Sequence, residues 1–449
     1  MTSRRRFLSL TGAATVSAAL NRIARPQESP ADFTLEIAPL RLEIGPGKVV
    51  PTTAYNGRVP GPLIRWPEGK PIVIDVKNRS AKDEIVHWHG QIISSNEDGA
   101  MEEGSPMIPA GGELRYEFKP QPAGFRWYHT HTFAGHNLKD GLYGGQFGCF
   151  YLEPKENPGG YDQEIFLTLH DWKGYMGGGG DASMDVVYDY ATINDRMLGH
   201  ADPIRVRRGQ RILFHILNAS ATLTHSLALP GHRFMVTSLD GNKVPNPSVV
   251  SGLRLAPAER IDAIVEMNEP GVWILGETNG ELRKAGMGIV IEYGNQVSEA
   301  KWITPSAADL VWDYRTFANS SVSVGEPDVW VPLVFDSKFR GHGEFDYWTI
   351  NGKSYPKTDP VTLQPDKRYR LVMTNKSADD HPVHLHRHTF EVTKLDGKPL
   401  SGLHKDVLVV KGKSSAEVDF IANNSGPTLF HCHQQSHMDF GFMMLFNYA

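Results

Sequence analysis

The sequence predicts an all-β protein built as three consecutive antiparallel β-sandwiches. Three observations carry that prediction: one sequence unit recurs three times, apolar runs are short and bounded by turn residues, and the chain is rich in Gly (44) and Pro (30). A length of 449 residues suits three domains, each able to bury its own core.

The first copy of the unit runs from Asn56-Gly57-Arg58 through Pro62-Leu63-Ile64, a turn at Gly69 and the apolar run Ile72 to Val76, ending at Asn78-Arg79-Ser80. The second starts at Asn194 and passes Pro203-Ile204, Gly209 and Ile212-Leu213-Phe214 to reach Asn218-Ala219-Ser220. The third starts at Asn351 and passes Pro360 to Leu363 and Tyr369 to Val372, ending at Asn375-Lys376-Ser377. A second block keeps step. Gly124 to His129 matches Gly271 to Leu275, and the third version ends Gly426-Pro427-Thr428-Leu429-Phe430-His431.

Alternation at Leu35, Ile37, Leu40, Leu42 and Ile44, and of Leu114, Tyr116 and Phe118 with Arg115, Glu117 and Lys119, is strand patterning. Helices are expected to be few and short. Breaks near Pro154 to Pro158 and across the polar stretch 295–328 divide the chain. The expected segments are 1–27 (leader and linker), 28–156, 157–300 and 301–449.

The leader reads Ser3-Arg4-Arg5-Arg6-Phe7-Leu8 and then a weakly apolar stretch to Leu20, the pattern of a twin-arginine export signal. We therefore expect a periplasmic or secreted protein that meets the twin-arginine export machinery, with cleavage between Ala18 and about Gln27. The first 25 residues hold five arginines and no acids, so their removal takes the formal charge from −5 to −10 and makes nucleic acid an unsuitable partner. No segment reaches the ~18 apolar residues of a membrane span.

Only two cysteines are present. Cys149 lies in the apolar run Gln146 to Leu152 and reads as a buried small hydrophobe. Cys432 sits between His431 and His433, with His437 five positions on. A soft thiolate with imidazoles suits copper or zinc, and Cys with two His and a weak axial neighbour makes an electron-transfer copper site.

Nineteen histidines placed at random would give roughly one His-x-His pair, whereas this chain has five. Four of them, His87/His89, His129/His131, His384/His386 and His431/His433, fall at matching places in the first and third units. On a strand each pair points its imidazoles to one face, ~6 to 7 Å apart. Four such strands can surround a metal cluster where those two domains meet. The middle unit has Ala228 and Pro230 for His384 and His386, and Leu275, Gly276 and Glu277 for His431, Cys432 and His433, so the fold alone needs no histidine there. His225 and His232, which match His381 and His388, read as core or interface residues of the middle unit.

His-Trp-His-Gly at 87–90, Trp-Tyr-His-Thr-His at 127–131, His-Pro-Val-His-Leu-His at 381–386 and His-Cys-His-x-x-x-His at 431–437 together resemble the four signature motifs of the three-domain multicopper oxidases, the laccase group. The resemblance spans residue 33 to the C-terminus. It implies three cupredoxin-like Greek-key sandwiches and four copper ions: a type 1 copper on His381, Cys432 and His437; a type 2 copper on His87 and His384; and a type 3 pair on His89, His129 and His433 and on His131, His386 and His431. At the axial position of the type 1 site this chain has Phe442, which is non-ligating, with Met438 and Met443 as alternative donors.

Asp98 resembles the family's acid beside the type 2 copper and is the expected proton relay. The second acid of many relatives is replaced by Gln434-Gln435-Ser436, and the spacer between His386 and His388 is Arg387 where glycine is common. The implied reaction oxidises phenols or aromatic amines one electron at a time and reduces dioxygen to water. Oxidation of Cu(I) or Fe(II) in metal tolerance is the alternative. The 13 methionines form no cluster beyond Met443-Met444, which disfavours that alternative, and the Gly177 to Gly180 loop reads as a surface loop. Zinc hydrolase chemistry is disfavoured, since zinc uses three or four ligands and eleven donors converge here.

Overall fold

The computed structural model describes residues 30–155, 159–177, 185–294, 296, 298–319, 324–341 and 344–449. The arginine-rich leader and most of the glycine loop lie outside the described residues. Within them the chain is a succession of short strands forming six sheets, two for each of three sandwich domains. The α-helices are Ser95–Asp98, Gly280–Lys284 and Gln435–Asp439. No helix among the described residues is long and apolar enough to cross a membrane.

The second and third domains are built alike. Each has a six-stranded sheet packed on a five-stranded one, with the strands in the same spatial order. The sheets are mainly antiparallel, as expected, with a parallel pair added to each, for example Phe33–Gly45 beside Ile72–Asn78 and Val329–Lys338 beside Arg368–Asn375. A chain that crosses to the other sheet and returns re-enters in its original direction, and a parallel neighbour results.

The recurring asparagines are the joints of this scaffold. Asn56, Asn194 and Asn351 adopt left-handed backbone at φ 51°, 51° and 52°, a conformation Asn tolerates better than most residues. Each side chain pins the strand opposite: Oδ1 accepts from the N–H of Glu36, Thr168 or Val334, and Nδ2 donates to the carbonyl of Thr34, Phe166 or Pro332. Asn78, Asn218 and Asn375 are buried and donate Nδ2 to carbonyls of the following loop and of a distant strand end, while Oδ1 accepts the N–H of Ser80, Ser220 or Ser377 at 2.9 Å. The repeated Asn-x-Ser is thus a buried polar corner with its hydrogen bonds satisfied.

Alternation in the first strand changes phase between Ile37 and Leu40. Leu35 and Ile37 face the first domain's core, with Ile64, Ile74 and Trp88. Leu42 and Ile44 point the other way, into a cluster with Trp127, Trp172 and Leu217 that joins the first domain to the second. One strand therefore serves two cores. A single apolar cluster runs through the second and third domains and contains Cys432 and Phe442.

Candidate metal centre

Strand pairing assembles the histidines. Val86–His87 lies antiparallel to Gly124–Thr130 with His87 opposite His129. In the third domain His381–Leu385 lies against Thr428–Cys432 with His384 opposite His431 and Val383 opposite Cys432. The two strand pairs carry His87, His129, His384 and His431, and the residues just past their ends add His89, His131, His386 and His433, all eight at most 3% exposed. Donor atoms within 4.8 Å of one another group as His87, His89 and His384; as His89, His129 and His433; and as His131, His386 and His431.

These imidazoles are held from outside and left open inside. Nδ1 of His87 meets the Asp98 carbonyl at 2.8 Å, that of His129 the Thr130 carbonyl at 2.7 Å, that of His384 the Asp406 carbonyl at 2.6 Å and that of His431 the Cys432 carbonyl at 2.9 Å. Nε2 of His87 and of His384, and both nitrogens of His131 and His433, are buried with no hydrogen-bond partner. Each such orphan costs about 1–3 kcal/mol in an apoprotein, so a set this large fits a site made for metal ions. Burial pushes the ring pKa values of His89, His129, His131, His384, His386 and His433 well below the usual range, and that of His431 to about 3. Neutral imidazole is the form that binds metal.

A second group forms at Cys432. The Nδ1 atoms of His381 and His437 are 3.1 Å apart and lie 3.7 and 3.5 Å from Sγ. Ser377, from the repeated Asn-x-Ser corner, meets Nε2 of His381 at 2.8 Å and so turns Nδ1 inward. The helix Gln435–Asp439 returns His437 to the thiol. Burial raises the Cys432 pKa and lowers that of His381 to about 3, so without a cation both would be neutral. The Phe442 ring lies 4.7 Å from that of His381, whereas Met438 and Met443 pack with Ala100 and Leu429 in a separate cluster. His437 is 8% exposed while His381 and Cys432 are fully buried, so the imidazole of His437 is the donor nearest solvent. Its ring lies against that of Trp348, 3.9 Å between centroids and tilted by 34°, and Phe345, Phe440 and His136 form a further ring cluster.

Asp98 lies between the domains. Its Oδ2 is 2.7 Å from Nδ1 of His386 and 3.2 Å from Nδ1 of His87. The approach depends on Gly99 at φ 85°, where an added Cβ would fall 1.7 Å from the Val86 carbonyl. Glu103 escaped the sequence reading. Fully buried, it accepts from the Leu429 N–H at 2.6 Å and lies 3.4 Å from Nδ1 of His386, the ring nitrogen that Asp98 also meets. Burial and then the Asp98 charge hold its pKa well above the carboxylate range. Its one signal was a pair of acids, Glu102-Glu103, soon after Asp98.

Arg387 stands at φ 59° with its guanidinium buried, donating to the carbonyls of Ile93, Asn424, Ser425 and Pro427 and to Oγ1 of Thr428. Those bonds offset the strained backbone that glycine would adopt freely.

The register corrects one sequence correspondence. Leu227 pairs with Glu277 and Ala228 with Gly276, so Glu277 stands where Cys432 does and Gly276 where His431 does, one residue off the expected match. Gly271 to Leu275 and Gly426 to His431 differ by one residue in length, which the sequence alone absorbed at the wrong end. His225 is buried, with Nε2 2.9 Å from Asp171 and Nδ1 3.1 Å from Glu277.

Family models described as multicopper oxidase match residues 40–156, 164–293 and 331–449. Multicopper oxidase MmcO of Mycobacterium tuberculosis is 30% identical over 98% of this chain and 92% of its own length. Among solved structures, Fet3p, described as a multicopper oxidase that functions in iron import, superposes with a TM-score of 0.81 at 18% identity, covering 93% of this chain and 90% of its own. The laccase of Botrytis aclada gives 0.78 at 20% identity, covering 92% and 87%.

Proposed function

The chain belongs to the multicopper oxidase family and is a copper-dependent oxidoreductase that uses dioxygen as acceptor, and on that premise we propose that its reductants are phenols or aromatic amines, taken up at His437. We assign His381, Cys432 and His437 to a type 1 copper with Phe442 as a non-ligating axial neighbour. His87 and His384 go to a type 2 copper. His89, His129 and His433 take one ion of a type 3 pair, and His131, His386 and His431 take the other. One observation carries the reading: buried imidazole nitrogens without protein partners converge from two domains.

When bound, copper supplies one-electron oxidation and the four-electron reduction of dioxygen. The protein supplies geometry. Cys432 is covalently flanked by His431 and His433, with consecutive Cα atoms ~3.8 Å apart, so the two centres share one strand end and the reductant never has to reach the buried histidines. Trp348 lies against the His437 ring, and Phe345, Phe440 and His136 pack on one another, so the side chains near this donor are largely aromatic, which suits an aromatic reductant. The nearby acid Asp439 is already engaged by the N–H groups of Ala134 and Gly135 and by Gln435, which argues against a cation site built on it. Asp98 relays protons, and Glu103, buried and facing the same nitrogen of His386, stands in for the acid missing from the last motif. The arginine-rich leader supports export by the twin-arginine route to the periplasm or beyond.

The test is oxygen uptake by copper-loaded protein given a dimethoxyphenol, Cu(I) or Fe(II) in parallel, with copper per chain measured on the same sample. The phenol is expected to sustain the fastest uptake. A marked preference for either metal ion would replace the proposed reductant with the metal-tolerance alternative, and protein that takes up no copper would remove the site assignment.

A further inference from the structure

Behind the histidine cluster lies a group of six charges at the seam of all three domains. Arg126 comes from the first, Asp240, Glu259 and Arg260 from the second, and Lys405 and Asp406 from the third; all are at most 2% exposed. Three cations face three anions, so the set is neutral as a whole and its burial is tolerable only while it stays complete. Arg260 grips Asp406 with both terminal nitrogens, at 2.7 Å to Oδ1 and 2.6 Å to Oδ2, and Arg126 adds a contact to Oδ2 at 3.2 Å. Asp240 binds the backbone N–H of Arg260 and of Val407 and lies 2.9 Å from Nζ of Lys405.

Asp406 is aimed at the cluster. Its Oδ1 is 3.1 Å from Nε2 of His89 and its carbonyl is 2.6 Å from Nδ1 of His384. His89 is thereby reversed relative to its neighbours. His87, His129, His384, His386 and His431 all use Nδ1 for an outer partner, whereas His89 uses Nε2 and leaves Nδ1 inside, 3.5 Å from Nε2 of His129. An ionised carboxylate can only accept, so it places the ring proton on Nε2 and leaves the lone pair on Nδ1. Gly90, at φ 79°, makes room for the carboxylate: a Cβ there would lie 2.6 Å from Oδ2 of Asp406 and 3.0 Å from Arg260.

We propose that Asp406, gripped by Arg126 and Arg260, is the positioning residue that fixes which nitrogen of His89 faces the other imidazoles, and that the second domain takes part in building the cluster through Arg260 although it contributes no ligand. This rests on the reading of the histidine cluster as a copper site. A positioning partner of this kind is worth about 10- to 100-fold in metal affinity.

The test compares the parent, Asp406→Asn and Arg260→Lys, each titrated with copper. Three quantities are followed: copper bound per chain, the paramagnetic resonance of the cluster ions, and the blue absorption of the Cys432 site. Asp406→Asn is expected to weaken the copper bound by the histidine cluster at least tenfold and to alter its resonance, with the blue band at parent strength. Arg260→Lys keeps the charge but loses the two-pronged grip, and is expected to show the same split to a smaller degree. If Asp406→Asn does not fold, Arg260→Lys decides. Parent-like cluster copper in a folded variant, or loss of the blue site and the cluster in step, overturns the proposal. A parent that binds no copper at the histidines overturns the underlying site reading instead, so the two failures are distinguishable.

Discussion

The second and third domains carry the same two sheets in the same strand order, yet one buries an ion triad where the other brings a thiol and two imidazoles together. His225 corresponds to His381 and Glu277 to Cys432, and in the second domain Asp171 completes the set. In that triad the imidazole bridges two carboxylates by opposite ring nitrogens, so its three groups cannot share one ion. In the third domain Ser377 occupies the outer nitrogen of His381, and the inner one is left facing sulfur. The scaffold offers the same buried position in both domains, and a few side chains decide whether it holds an ion triad or a metal-ligating group.

The sharpest way to break that comparison is to remove the thiol. Cys432→Ser is expected to abolish the blue absorption and to cut substrate-driven oxygen uptake by about a thousandfold or more, since the soft thiolate is the donor that makes such a site accept single electrons. Copper at the histidines of the other centre should remain, as measured by metal analysis. Uptake at parent rate in this variant would contradict the division of labour between the two groups. Next in size is Asp98→Asn, for which we expect oxygen uptake to fall about a hundredfold. Anaerobic bleaching of the blue band by substrate should keep its parent rate, because Asp98 touches only the oxygen-reducing side. Glu103→Gln should have a smaller effect of the same kind, as Asp98 is then still present.

A third experiment turns to the second domain. Burial by itself lowers the His225 pKa, but Asp171 and Glu277 together raise it to about 10. A raised folded value means that the triad's stabilisation is fully present below the unfolded value of about 6.5 and is lost as pH climbs through about 10. His225→Gln leaves two buried carboxylates without their cation and is expected to cost on the order of 3 kcal/mol in denaturant unfolding near neutral pH. The deficit should shrink above pH 10, and copper content should not change. A loss of copper without a loss of stability would mean that this triad serves the metal centre after all.

How much of this was legible in the sequence follows from where each signal lives. The strands, the three-fold repeat and the paired histidines are local patterns, and residue spacing exposes them. Asn78, Asn218 and Asn375 recur because each corner of the scaffold needs the same hydrogen bonds. Asp406, Arg126 and Arg260 were invisible, since they lie 280 and 146 positions apart and meet only once three domains dock. Glu103 carries no motif of its own, and only the docking of the first domain on the third brings it to His386. The one-residue error at Glu277 arose because spacing between motifs cannot say which end of a strand absorbs a length difference; the pairing register can.

The smallest expected effect bears on the third domain's own tuning. Phe442 is fully buried with its ring 4.7 Å from that of His381 and 4.8 Å from that of Phe335, so it borders the Cys432 group with hydrocarbon. Hydrocarbon offers no lone pair to the more highly charged oxidation state, and burial there disfavours charge, so a copper held by this group is expected to favour its reduced state. Phe442→Met puts a polarizable thioether in nearly the same volume, at a cost in stability of less than about 1.5 kcal/mol. The potential of the blue site, followed by redox titration of its absorption, is expected to drop by about 60 mV, which for a one-electron couple is one tenfold change in the redox equilibrium. An unchanged potential would mean that the new sulfur does not reach the metal. The axial role would then pass from position 442 to whatever else closes that side of the site, and Met438 and Met443 are poorly placed for it, being packed with Ala100 and Leu429.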